Sequence, residues 1–135
     1  MSTFLLEIVT PDRQVYSEQV NGLSVRGVEG ELGILPGHIP MVTPLQIAPM
    51  RIKTGGNTEV IAVNGGFVEV RKEKVIVLAE SAERAGDIDV ERARAARERA
   101  ELRVQSKRND IDHLRAEIAL QKALNRLNVS GGAKK

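Results

Sequence analysis

The chain has 135 residues, enough for one ordinary domain or for a smaller domain with an appendage. Its formal net charge of +2 is too small to indicate nucleic-acid binding by itself, and the absence of cysteine excludes a disulfide scaffold and a thiolate metal site. We find no signal-peptide pattern at the N-terminus and no stretch near the roughly 18 apolar residues that span a bilayer.

Turn signals divide the N-terminal part into short segments rich in Val and Ile. The segments are residues 4–10, 20–26, 50–53, 58–63, 67–70 and 74–78. The turns are predicted at residues 11–12, at residues 35–38 as a type II turn, at residues 54–57 as a hairpin, and at residues 64–66. Short strands separated by such turns predict an antiparallel β-sandwich or barrel, which we place at residues 1–85.

Composition changes near residue 80, after which Ala, Arg, Glu and Leu dominate. Asp87 or Asp89 can cap a first helix that runs to about residue 106, because a carboxylate there accepts free backbone N–H groups. Asn109-Asp110 interrupts the pattern, and a second helix is predicted over residues 111–128. The chain is therefore predicted to be α+β and mainly β, with a sandwich followed by a two-helix hairpin.

The hairpin, residues 86–135, is poor in apolar side chains. Its first helix has a thin apolar stripe interrupted by Arg97, and its second divides its apolar residues between two faces. Two helices with so few apolar side chains bury little surface and are only marginally stable on their own. We therefore expect the hairpin to need the sandwich, a ligand or a partner, and to be able to change its arrangement.

We find no catalytic or metal-binding pattern. His38 and His113 lie in different halves, neither has a zinc-type spacing, and the glycines form no phosphate-binding loop. His38 follows a tight turn and is either a partner contact or an ordinary surface histidine. We therefore predict no catalytic residue and no metal site.

Basic residues form one stripe on each helix, since positions 7 or 11 apart nearly coincide on a helix. The stripes are Arg92, Arg99 and Arg103 on the first helix, and Arg108, Arg115, Lys122 and Arg126 on the second. Arg99, Arg103, Lys122 and Arg126 have no acidic residue three or four positions away. The stripes indicate an anionic ligand, an acidic protein surface or merely an exposed basic face.

Three segments together resemble the epsilon subunit family of bacterial F-type ATP synthases. They are residues 30–38 (GELGILPGH), residues 62–70 (AVNGGFVEV) and residues 82–93, which include an I-D-x-x-R-A motif at Ile88-Asp89-Val90-Glu91-Arg92-Ala93. The resemblance covers residues 3–129. It implies a ten-stranded β-sandwich followed by a mobile helical hairpin.

The resemblance also implies a non-catalytic rotor subunit, peripheral to the cytoplasmic face of the bacterial plasma membrane. The family's sandwich binds the gamma subunit and the c-ring. Its extended hairpin reaches the alpha and beta subunits and inhibits ATP hydrolysis, whereas its folded hairpin permits turnover. In some bacterial members bound ATP keeps the hairpin folded, so ATP is expected as a regulatory ligand and no cofactor is required.

Site residues are carried over from the family by position. The ATP-binding candidates are Glu83, Ile88, Asp89, Arg92, Arg99, Lys122 and Arg126. Lys122 stands where the family has arginine, which keeps the charge but loses the bidentate fork. The partner-binding candidates carried over in this way are Glu31 and His38, for the c-ring and gamma. Arg115, on the basic stripe of the second helix, is our candidate for contact between an extended hairpin and the catalytic head.

Three alternatives remain at this point. A nucleic-acid module would use the basic hairpin, but the helices contain no Phe, Tyr or Trp on which bases could stack, so no nucleic-acid partner is expected. A small sandwich-fold enzyme is disfavoured by the missing catalytic residues. The third alternative is an epsilon subunit whose hairpin inhibits without binding ATP. Titration of the isolated protein with ATP distinguishes it from our prediction.

Overall fold

The computed structural model describes residues 2–106 and 110–131, with side chains for all of these except 110 and 111. The strands are β1 Phe4–Val9, β2 Gln14–Val20, β3 Gly22–Gly27, β4 Gly30–Ile34, β5 Met41–Thr54, β6 Asn57–Val70, β7 Lys74–Ala79 and β8 Ala82–Arg84. A 3-10 turn at Ala85–Asp87 leads to the helices α1, Val90–Gln105, and α2, Asp110–Ser130. The predicted α+β class, mainly β, is confirmed.

The strands follow the order β2-β1-β7-β6-β5-β3-β4, and β8 pairs with β6. The pairs are antiparallel as predicted, except that β1 and β7 are parallel. The described residues contain eight strands rather than ten, because β5 and β6 each continue through 14 residues. If β5 and β6 were each divided into two strands, the count would be ten.

The bend in β6 was predicted as a turn, and that prediction is wrong. Gly65 and Gly66 lie inside the strand, where β6 changes its partner from β8 to β7. Gly66 has a φ of +131°, and a Cβ there would lie 2.1 Å from the carbonyl oxygen of Leu78. Only glycine fits this position, because it combines a positive φ with the close approach of the β7 backbone.

Two predicted turns are confirmed. At residues 35–38 the backbone N–H of His38 donates to the carbonyl oxygen of Leu35 at 3.1 Å, and Gly37 has the positive φ that a type II turn requires at its third position. At residues 54–57 a two-residue turn joins β5 to β6, with Gly55 also at positive φ. These turns fix the registers of the strands beside them.

One aliphatic core occupies the sandwich. Its members come from β1 to β8, from Phe4 to Ala82, and include the fully buried Leu6, Ile52 and Val77. Buried and half-buried residues alternate along β1 and β7, because successive side chains of a strand point to opposite faces. The sandwich therefore has its own core without the helices.

The helices begin and end close to the predicted positions. Asp89 is the N-cap of α1, where its Oδ1 accepts a hydrogen bond from the backbone N–H of Arg92 at 3.1 Å, and Ser106 is the C-cap. The second helix runs from Asp110 to Ser130, slightly longer than predicted, and Asn109 of the expected break lies outside the described residues. No helix in the described part of the chain is long and apolar enough to cross a membrane.

The hairpin packs through small side chains. Among the helix residues whose side chains the structure describes, the buried ones are Ala93, Ala100, Ala116, Ala123, Asn125 and Leu127. Larger apolar residues such as Leu102 and Leu114 are 69% and 57% exposed. The predicted scarcity of apolar burial in the hairpin is thus present in the fold.

Candidate functional site

The junction of sandwich and hairpin is anchored at β8. Nε and Nη2 of Arg84 donate to the two carboxylate oxygens of Glu59 at 2.6 and 2.8 Å, and the guanidinium lies 5.3 Å from the ring centroid of Tyr16. The hydrogen bond to Glu59 raises the pKa of Arg84 above its ordinary value. Because adjacent strand residues point to opposite sides, Glu83 points toward the hairpin while Arg84 is held by Glu59.

Glu83 forms an ion pair with Arg126 of α2. Nε of Arg126 donates to Oε1 of Glu83, and the two side chains are only 28% and 27% exposed. Partial burial weakens solvent screening of such a pair. The contact therefore joins the last strand of the sandwich to the end of the hairpin.

A cleft of about 460 Å³ lies beside this ion pair, within the usual size range of small-ligand sites. Its lining residues are Glu83, Asp87, Asp89, Arg92, Ala93, Ala96, Arg99 and Arg126. Five of the seven ATP-binding candidates are thus brought together. Asp87 also lines the cleft, although the sequence suggested it only as an alternative cap.

Charges in the cleft are separated along its length. The carboxylates of Glu83, Asp87 and Asp89 gather at the start of α1, whereas Arg99 lies about 15 Å farther along the helix at 1.5 Å per residue. Arg92 and Arg99 have no ion-pair partner in the described part of the chain, unlike Arg94, which pairs with Glu91 at 2.9 Å. The cleft thus offers acceptors beside Arg92 at the start of α1 and the free guanidinium group of Arg99 toward its other end.

Two candidates for the ATP site do not line the cleft. Ile88 is 8% exposed and packs into the junction, and Lys122 is half-buried on α2. Arg103 and Arg115 line a separate hollow of about 540 Å³ between the helices. Arg108 lies outside the described residues.

Asn125 was missed by sequence reasoning, although it is buried against the sandwich. Its Nδ2 donates to the carbonyl oxygen of Val63 and to Oδ1 of Asn64, both at 3.1 Å. Asn64 is itself fully buried and donates from Nδ2 to Oγ of Ser81 at 2.9 Å. The only signal in the sequence was a polar residue among the apolar positions of α2.

The partner-binding candidates Glu31 and His38 lie at the β3–β4 end of the sandwich. Glu31 faces Arg26 across the strand pair at 3.6 Å, and both side chains are about half exposed. Nδ1 of His38 lies 2.8 Å from the carbonyl oxygen of Ile39. Large aliphatic side chains are exposed on the same loops, namely Val28 (56%), Leu35 (65%) and Ile39 (76%).

Within residues 2–106 and 110–131 no cluster of three or more His, Asp or Glu side chains could hold a metal ion. Together, the fold and the cleft define a two-part protein in which a helical hairpin is docked on a β-sandwich by polar contacts.

The sequence places this protein in a known family. The family described as "ATP synthase, Delta/Epsilon chain, beta-sandwich domain" matches residues 3–85, and that described as "ATP synthase, Delta/Epsilon chain, long alpha-helix domain" matches residues 87–131. The chain belongs to the delta/epsilon-chain family of the ATP synthase, whose epsilon chain is a non-catalytic stalk subunit.

Relatives of similar length agree with this assignment. The ATP synthase epsilon chain of Bacillus mycoides is 55% identical over 130 residues, which are 96% of this chain and 98% of the relative. That of Brevibacillus brevis is 59% identical over 131 residues, with 96% and 99% covered.

Solved structures share the fold. A chain in the OSCP/F1/c-ring structure of Euglena gracilis mitochondrial ATP synthase has a TM-score of 0.81 and 26% identity, with 96% of this chain and 82% of that chain covered. A chain in the central stalk/c-ring structure of the Tetrahymena thermophila enzyme has a TM-score of 0.58 and 15% identity, which indicates the fold alone.

Proposed function

We propose that this chain is a central-stalk subunit of an F-type ATP synthase that joins the gamma subunit to the c-ring. The surface around Glu31 and His38 would make these contacts, and its exposed Val28, Leu35 and Ile39 support an interface there. Val28 lies at the β3–β4 turn and Leu35 and Ile39 on the β4–β5 loop, and exposed aliphatic residues such as these become favourable when an interface buries them. Through this complex the chain would be peripheral to the cytoplasmic face of the bacterial plasma membrane.

The hairpin would regulate ATP hydrolysis, and ATP in the cleft would keep it folded. The observation that carries this proposal is that the cleft takes its walls from β8, α1 and α2 together, through Glu83, Arg92 and Arg126. A ligand can contact all three only while the hairpin lies on the sandwich. Such a ligand stabilises the folded state by its greater affinity for that state.

The polarity of the cleft suits a nucleotide. Carboxylates near the start of α1 can accept hydrogen bonds from a base or from sugar hydroxyl groups, and the free guanidinium groups of Arg92 and Arg99 can bind phosphate oxygens. Three carboxylates balance three arginines in the lining, so the cleft is not a general anion site. A ligand with both a neutral and an anionic end fits it better than inorganic phosphate does.

A released hairpin would act on the catalytic head. It carries exposed Leu102 and Leu114, together with basic Arg115, which could contact acidic and apolar surface on the alpha and beta subunits. Exposed leucines on a poorly packed hairpin are more favourable in an interface than in water. The inhibited state would therefore gain burial that the folded hairpin lacks.

The experiment compares ATP hydrolysis by the F1 complex carrying either the full chain or residues 1–85. We expect the truncated complex to be faster at low ATP, and the difference to shrink as ATP rises and the hairpin folds. Equal rates at every ATP concentration would exclude an inhibitory hairpin. A constant difference at all concentrations would favour inhibition without ATP control.

A further inference from the structure

The hairpin meets the sandwich through a polar contact on α2. Asn125 is 6% exposed and uses its amide group for two hydrogen bonds to the sandwich, one to the backbone of Val63 and one to the side chain of Asn64. Helix α2 also contacts β5 and β6, whereas most of its packing is against α1. Asn125 is therefore the buried polar link between the hairpin and the sandwich.

Helical geometry places this link on one particular side of α2. At 100° per residue, Asn125 lies opposite Ala116 and nearly opposite Ala123, both of which are buried. The side of α2 that carries Asn125 is otherwise weakly buried, since Leu114 and Ile118, each about 20° from Asn125 on the helix, are 57% and 39% exposed. Apolar packing between α2 and the sandwich is thus sparse, and the two hydrogen bonds of Asn125 carry much of the specificity of docking.

The chemistry of the contact is compatible with reversible docking. The Val63 carbonyl and Asn64 Oδ1 are both acceptors, so an amide NH₂ with two donors satisfies them together. When α2 lifts, water can hydrate all three groups, and the exposed state leaves no polar group unsatisfied. In the docked state Oδ1 of Asn125 is buried without a hydrogen-bond partner among the described residues, which reduces the net stabilisation that docking gains from this side chain.

Asn125 is also adjacent to the cleft residue Arg126. A step of one residue turns a helix by 100°, so the docking of Asn125 on Val63 and Asn64 sets the direction of Arg126 toward Glu83. Resting on the proposed function, we propose that Asn125 is a positioning residue that couples nucleotide binding in the cleft to docking of the hairpin. Without the two hydrogen bonds of Asn125, α2 has no fixed position on the sandwich, and Arg126 leaves the cleft.

The test uses the full chain with Asn125→Leu, which removes both donors at similar volume. Because the chain has no cysteine, spin labels can be attached to cysteines introduced at the exposed positions Gln19 and Glu98. Gln121→Leu is the matched control, since Gln121 is exposed on the same side of α2. Asn125→Asp is a second variant of unchanged shape, whose carboxylate faces two acceptor oxygens.

Without ATP, wild type and Gln121→Leu should give a narrow label-to-label distance distribution, whereas both Asn125 variants should give a broad one. Calorimetry with ATP should show binding at least tenfold weaker for the Asn125 variants and unchanged binding for the control. The circular dichroism spectrum of each variant is compared with that of the wild type, and an unchanged strand signal shows that the sandwich is retained.

Each outcome decides between the proposals. Asn125 variants that keep the narrow distances and the wild-type ATP affinity would overturn the coupling alone. A wild type that binds no ATP would overturn the proposed ATP site and the coupling with it. Broad distances with unchanged affinity would also contradict the coupling, because nucleotide binding would then not need docking at Asn125.

Discussion

Arg126 of α2 is paired with Glu83 of β8, so a contact between the two halves of the molecule forms part of the wall of the cleft. A phosphate that binds Arg126 must compete with the carboxylate of Glu83. In the proposed function, Arg126 would contribute to the folded hairpin both through Glu83 and through a bound phosphate.

Glu83→Gln should loosen the hairpin in the absence of ATP. The substitution keeps the shape of the side chain but removes its charge, and we expect a loss of about 0.5–1 kcal/mol, the upper range for partly exposed ion pairs. Amide hydrogen exchange in α2 should accelerate about 2- to 5-fold as a result. Glu98→Gln, at an exposed position on α1 outside the cleft, is the control. Unchanged exchange in Glu83→Gln would show that the ion pair does not stabilise docking.

Gly66→Ala should strongly destabilise the sandwich. Its Cβ would meet the Leu78 carbonyl oxygen at 2.1 Å, at a φ that side chains rarely adopt, so the free energy of unfolding should fall by about 3–5 kcal/mol. Gly56→Ala is the matched control, since its Cβ would meet no atom within 4 Å and its φ is not positive. Urea unfolding of both variants measures the difference. Equal stability of the Gly66→Ala and Gly56→Ala variants would mean that the backbones of β6 and β7 do not approach each other so closely at Gly66.

Tyr16 should titrate above its ordinary pKa of 10.0, chiefly because burial disfavours the phenolate, with Glu18 and Glu59 adding to the shift. The unfolded chain then loses this proton first as the pH rises. The contribution of Tyr16 to stability should therefore be complete below pH 10.0 and be lost as the pH rises through the higher folded value.

Tyr16 is the single tyrosine and the chain has no tryptophan, so ultraviolet absorbance of the phenolate reports this residue alone. Arg84→Gln should raise the midpoint further, because the guanidinium charge opposes the shift. A folded-state midpoint at or below 10.0 would contradict the burial of the ring.

Residues 1–85 should fold without the hairpin. The core cluster lies between Phe4 and Ala82, so truncation removes mainly the contacts of Asn125 and Arg126. We expect one cooperative unfolding transition and a loss of roughly 1–2 kcal/mol, the scale of a few hydrogen bonds and one ion pair. A chain that fails to unfold cooperatively would show that the hairpin is part of the same folding unit.

Sequence reasoning found the features that depend on local rules. Gly37 and Gly55 mark real turns, and Asp89 caps α1, because these effects involve only neighbouring residues. Gly65-Gly66 was misread since the same glycine pair that marks a turn also permits a bend within a strand. The distinction depends on the backbone of β7, which lies more than ten residues away along the chain.

In the candidate site, too, the features that depend on neighbouring residues could be predicted, and those that depend on distant residues could not. Helical periodicity placed Arg92, Arg99 and Arg126 on the two basic stripes, and it identified Arg99 and Arg126 as having no acidic residue three or four positions away. It could not show that Arg126 meets Glu83 or that Asn125 meets Asn64, because both contacts join segments more than 40 residues apart. Nor could it distinguish Lys122, which does not line the cleft, from Arg126, which does.

The most direct test of the account is calorimetric titration of the full chain with ATP, for wild type, Arg92→Ala and Arg94→Ala. Arg92 lines the cleft without an ion-pair partner in the described part of the chain, whereas Arg94 pairs with Glu91 outside it. We predict that wild type and Arg94→Ala bind ATP alike, and that Arg92→Ala binds more weakly by about 1.5–3 kcal/mol, the scale of hydrogen bonds to charged groups. No binding to wild type at millimolar ATP, or equal binding by Arg92→Ala, would contradict a nucleotide site in this cleft.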